Sequence, residues 1–185
     1  MKLSYLSTTL IVIFSIVTFF STNHNSESHT FHNDLIQEKE IRFSNLRQLT
    51  FSGENAEAYF SSDGKKLIFQ SHDGDSLCDQ IYIMNIETGS TNMVSTGEGV
   101  TTCSYFVYPD CQKAIYASTH MGNKKCPEKP DYSMGYVWKL YPDYDVFLTD
   151  LQTKSLEQLT SSPGYDAEAT VAFNGSNVVY TSMVS

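Results

Sequence analysis

Residues 56–71 read Ala56-Glu57-Ala58-Tyr59-Phe60-Ser61-Ser62-Asp63-Gly64-Lys65-Lys66-Leu67-Ile68-Phe69-Gln70-Ser71. Two runs rich in aromatic and branched residues flank Asp63-Gly64. Such a pair predicts a tight β-hairpin, because Asp and Gly tolerate the positive φ that the turn demands. The unit returns without a gap as Ala167-Glu168-Ala169-Thr170-Val171-Ala172-Phe173-Asn174-Gly175-Ser176-Asn177-Val178-Val179-Tyr180-Thr181-Ser182, with Asn174-Gly175 in the turn. A degenerate copy lies between them, from Tyr105 to Ser118, with Asp110-Cys111 at the turn. A Cys in the glycine place is strained unless that turn has another form.

Outside each hairpin a second pair of strands follows. Ile81-Tyr82-Ile83-Met84-Asn85 runs into a turn at Gly89, and Asp145-Val146-Phe147-Leu148-Thr149-Asp150 repeats it. Short strands then close on Val94-Ser95 and Leu159-Thr160, and Leu49-Thr50 is the same ending ahead of the first hairpin. The pattern places strands near 57–61, 66–71, 80–86 and 90–95, then near 103–108, 113–118, 144–150 and 155–160. Two more fall near 167–173 and 177–182, and a lone strand at 44–50 precedes them all. Four antiparallel strands recurring at a period in the forties predict an all-β chain of the β-propeller class, with about two and a half blades present. Blade 1 takes 51–96, blade 2 takes 97–160 with a long insertion at 119–143, and half of blade 3 takes 161–185.

The pattern resembles the TolB-like, or WD40-like (PD40), β-propeller repeat family. Gln48 to Thr50, Ala56 to Ser71 and Ile81 to Asn85 carry the resemblance, which covers roughly residues 45–185. The family places a Pro before the turn Asp, where this chain has Ser62. The resemblance implies closure through a velcro strand, the role expected of 44–50. An open array would expose strand edges. The expectation is a part of a longer propeller protein, with closure by oligomerisation or a stable open stack as alternatives. The family is associated with the Tol–Pal envelope system and biopolymer transport. The resemblance therefore implies an exported module that binds a protein or peptide partner. Its alternative is the propeller cap of an exported peptidase whose catalytic domain lies elsewhere. A third reading is a broken reading frame without a function of its own.

Residues 1–22 read as a secretory signal or an N-terminal anchor: Lys2 is followed by an apolar stretch from Leu6 to Phe20, short of the about 20 residues that span a bilayer. Residues 23–43 are polar and read as a flexible lead-in. The localisation expected is periplasmic or secreted, with membrane contact only through an uncleaved anchor. The chain carries 12 Lys and Arg against 21 Asp and Glu, a formal charge of −9. That balance argues against nucleic acid, since phosphate binding needs clustered basic residues. No Gly-x-Ser-x-Gly, His-Glu-x-x-His or phosphate loop occurs, so no enzymatic activity and no cofactor are expected.

The strand directions put Cys78, Cys103 and Cys126 at one rim, where an exported chain would form a disulfide among them. The pairing is left open, and Cys111 falls at the opposite rim as a free thiol. The same rim collects the insertion, with Tyr132, Tyr136, Trp138, Tyr141 and Tyr144. A connection this long in a compact fold is functional or disordered, and its aromatic density argues against disorder. These rings, with His72 and His120, are the candidate partner-binding residues; the competing reading of the rings is that they cover an incomplete core or pack against a missing blade, and that of the histidines is ordinary turn chemistry. Charged neighbours assigned to this rim are Glu57, Asp73, Asp75, Asp79, Asp166 and Glu168. Asp73-Gly74-Asp75 resembles a carboxylate loop for a hard cation but lacks the remaining ligands. No metal site is expected.

Overall fold

The computed structural model describes residues 35–73, 78–128 and 130–184. The expectations for residues 1–22, for most of the lead-in, and for Gly74 and Asp75 fall outside these. Among the described residues ten strands form three antiparallel sheets. Blade 1 is β1 (Glu54–Phe60), β2 (Lys66–His72), β3 (Gln80–Asn85) and β4 (Thr91–Met93), in that spatial order. Blade 2 is β5 (Thr101–Phe106), β6 (Lys113–Ser118), β7 (Asp145–Asp150) and β8 (Leu156–Gln158). The third sheet holds β9 (Gly164–Val171) and β10 (Val178–Val184). Each hairpin pairs neighbours in sequence, so the order needs no crossover. The array is an open, incomplete propeller.

Alternation along the strands builds the seams. Ile68 and Ile81 face forward from blade 1 and meet Phe106, Ala114, Tyr116 and Phe147 of blade 2, all essentially inaccessible. Ile115 and Val146 face forward from blade 2 and meet Ala169 and Val171 of the third sheet. Each large side chain buried this way contributes about 1.5–3 kcal/mol. The middle two strands are buried, whereas β4 and β8 are exposed and only 3 residues long. Short outer strands limit the edge offered to other chains.

The expectation at 44–50 needs correction: these residues do not form a strand. An extended segment becomes a strand only when its backbone pairs with a neighbour, and here the contacts are side-chain ones. Arg47 donates from Nη2 to the Ile86 carbonyl at 3.1 Å, and Leu49 packs on Leu67, Phe69 and Met84. Leu49 thus stands to blade 1 as Val94 stands to blade 2.

The middle hairpin also departs from its copies. Gly64 and Gly175 donate to the carbonyls of Ser61 and Ala172, three residues back, whereas Cys111 donates to Val107, four back. The turn is one residue longer, yet Cys111 keeps the left-handed φ of 52° that a glycine would take freely.

Candidate functional site

The β2–β3 connection and the insertion converge on a cavity of about 580 Å³. Its walls are Glu54, His72 and Asp79 on the blade 1 side and Tyr132, Tyr136, Trp138 and Tyr141 on the insertion side. A disulfide between Cys78 and Cys126 joins the two walls. Cys103 takes no part in it, and neither does Cys111. Cross-linking residues 48 apart in sequence removes loop entropy from the unfolded chain and holds the insertion against blade 1.

On the blade 1 wall the polar groups are ordered by one another. His72 Nδ1 lies 2.5 Å from Asp79 Oδ1, and its Nε2 lies 3.8 Å from the exposed Glu54 carboxylate. Gln70 donates to Asp79 Oδ2 at 3.1 Å, while its Oε1 accepts from Thr102 Oγ1 and from the Cys103 amide. On the insertion wall Tyr132 and Tyr136 stack with centroids 6.4 Å apart, and both remain half or more exposed, as does nearly half of Trp138. The Tyr141 hydroxyl donates to the Glu128 carbonyl at 3.1 Å. Burial raises the Tyr141 pKa, and electrostatic repulsion from the Tyr132 phenol adds to the rise.

Two of the candidate residues are not at the cavity. Tyr144 is 3% exposed and packs edge-on against Tyr165, with Ala117 and Ala167 around it. It starts the return into β7, so its ring is carried beneath the insertion. His120 is 5% exposed, with its ring centroid 4.3 Å from that of Phe147 and Nδ1 2.9 Å from Ser118 Oγ. Burial lowers its pKa; Glu98 opposes that shift and Lys124 adds to it. Tyr144 and His120 are therefore core side chains and do not line the cavity.

Glu57, Cys103 and Glu168 are likewise not rim residues. Each occupies the same place in the innermost strand of its sheet, and each has a left-handed φ of 51–58°. The pairing slips by one residue there: Ala56↔Gln70 is followed by Tyr59↔Ile68, Thr102↔Ala117 by Tyr105↔Ile115, and Ala167↔Thr181 by Thr170↔Val179. These are β-bulges, which re-aim a side chain. They turn all three residues toward a second cavity of about 180 Å³ that Tyr59, Ser104 and Tyr105 also line. Burial pushes the Cys103 thiol up to about 12, and the Glu57 and Glu168 carboxylates add to the rise. Burial thus holds the thiol protonated, which leaves it a poor nucleophile. Asp166, also assigned to the rim, is 2% exposed in the core. Asp73 is exposed and accepts from Ser52 Oγ at 2.7 Å. Among the described residues no three His, Cys, Asp or Glu side chains converge closely enough to hold a metal ion. No helix of the described residues is long and apolar enough to cross a membrane.

No family model matches the sequence, and no curated protein matches it. Solved structures do. TolB from Acinetobacter baumannii superposes with a TM-score of 0.58 at 21% identity over 76% of this chain. A protein described as TolB from Agrobacterium tumefaciens gives 0.54 at 20% identity over 75%. The fold is that of a TolB-like propeller. The chain spans 30% and 42% of the lengths of those two TolB chains, less than half of either. The disulfide-pinned insertion belongs to the second sheet of this chain, and its aromatic residues supply one wall of the cavity.

Proposed function

We propose that this chain is an exported TolB-like binding module, part of a longer propeller protein, that engages a protein or peptide partner at the cavity under the insertion. The observation that carries the reading is the cavity itself. Aromatic rings from an insertion held by a covalent clip stand exposed over a polar wall whose side chains are already ordered. Tyr and Trp are the preferred anchors of interfaces, because they bring large contact area at low entropic cost. Pinning the insertion before binding lowers the ordering cost that a free loop of this length would add. Export is supported by the leader-like residues 1–22 and by the disulfide, which persists in oxidising compartments. Membership in a longer propeller is supported by the TolB chains of similar fold, of whose lengths this chain spans 30% and 42%.

A peptide library displayed on phage, selected on the oxidised full chain, tests this. Selected peptides should bind the Trp138→Ala variant at least about tenfold more weakly, since interface anchors of this kind carry about 1–2 kcal/mol or more. Peptides that bind both forms equally would place recognition elsewhere on the module.

A further inference from the structure

The chemistry of the cavity narrows the partner. Its lining offers the carboxylates of Glu54 and Asp79 and four aromatic faces, and none of its described lining residues is Lys or Arg. Asp79 is engaged by His72 and Gln70, whereas the Glu54 side chain is 81% exposed and, among the described residues, reaches only the far nitrogen of His72. Glu54 is therefore the wall's available anion. The rings opposite it are Tyr132, Tyr136 and Trp138, whose faces carry the negative quadrupole that attracts a cation. One ring of the insertion already does so: Lys139 Nζ sits 5.0 Å from the Tyr141 centroid. Lys124, at the start of the insertion, is held by Glu98 at 3.1 Å. The net charge of −9 adds long-range attraction for the same ligand class.

We propose that the cavity takes a cationic side chain of the partner, a lysine or arginine from a basic peptide segment, set between the aromatic faces and the Glu54 carboxylate. This rests on the cavity being the partner site. An acidic segment would meet Glu54 and Asp79 with like charge, and an apolar one would leave the carboxylate desolvated without a partner.

Trp138 is the single tryptophan of the chain, so its fluorescence reports the cavity directly. The probes are an amidated deca-lysine and the same peptide with every side-chain amine acetylated, titrated into the oxidised full chain at low and at moderate salt. The charged peptide should shift Trp138 emission and bind at least about tenfold tighter than the acetylated one. Glu54→Gln and Tyr136→Ala lie on exposed positions, should keep the wild-type melting temperature, and should each weaken the charged peptide about three- to tenfold. Glu157→Gln, on the exposed β8, should leave binding unchanged. Equal binding of the two peptides with continued dependence on Tyr136 would overturn the cation and keep the peptide site. Binding indifferent to Tyr136 would show attraction by net charge alone and overturn the proposal. Silence of Trp138 toward both peptides and toward the phage-selected ones would overturn the site reading as well.

Discussion

His72 ends β2 and His120 follows the end of β6 by two residues, near-equivalent places in neighbouring blades, yet one lines a cavity and the other is core. His72 is held by Asp79 and lines the cavity. His120, the second residue of the insertion, lies on Phe147 and is hydrogen-bonded to Ser118. The connection after each strand makes the difference. Blade 1 has a short link from β2 to β3. Blade 2 has a long insertion whose first and last turns must close over their own sheet before its middle can reach across to blade 1. One insertion therefore supplies both a lid for blade 2 and a wall for blade 1.

The contrast between the blades can be broken at its buried end. Phe147→Ala should cost about 3–5 kcal/mol in urea or guanidinium unfolding, because it empties an essentially inaccessible site under His120. Its counterpart on blade 1, Tyr82, is only half-buried, and Tyr82→Ala should cost well under half as much. Equal losses would mean that the two blades are packed alike. The covalent clip comes next. Replacing Cys78 and Cys126 together by Ala should lower stability by about 2–4 kcal/mol and weaken partner binding, since the insertion wall then loses its tie to blade 1. Stability that is unaffected would mean that packing alone fixes the insertion.

The smallest effect is a pH dependence. Burial depresses the His120 pKa below its unfolded value, so the folded state favours the neutral ring. The unfolded state then binds the extra proton as pH drops below about 6.5, and stability should fall with it. Above that pH the contribution is complete. His120→Gln should show a flatter stability profile between about pH 7.5 and 5.5 than the wild type. An unchanged profile would assign the acid sensitivity to other groups.

The hairpins were legible because Asp63-Gly64 and Asn174-Gly175 state their turns chemically, and β2 and β6 are short runs rich in apolar residues, as strands buried on both faces are. The bulges were not, since a left-handed bulge normally declares itself by Gly or Asn, and here Glu57, Cys103 and Glu168 take that conformation. That is why Cys103 read as a rim cysteine and a disulfide candidate, when the bulge turns it inward. The cavity was half legible. Its aromatic density stood out in the insertion, but composition does not say which rings face in. Tyr144 lies two residues before Val146 on the same face of the strand, which was the available signal that it belongs to the core. The segment 44–50 matches the strand endings of both blades, yet an ending specifies a packing position and pairing requires a partner strand.

The most direct test is to unfold Trp138→Ala and Tyr144→Ala side by side in urea, under oxidising conditions. If the insertion divides into a lid and a wall as described, Tyr144→Ala loses about 3–5 kcal/mol and Trp138→Ala stays within about 1 kcal/mol of the wild type. If Trp138→Ala loses as much as Tyr144→Ala, the exposed rings are core, and the cavity is not a site kept open for a partner.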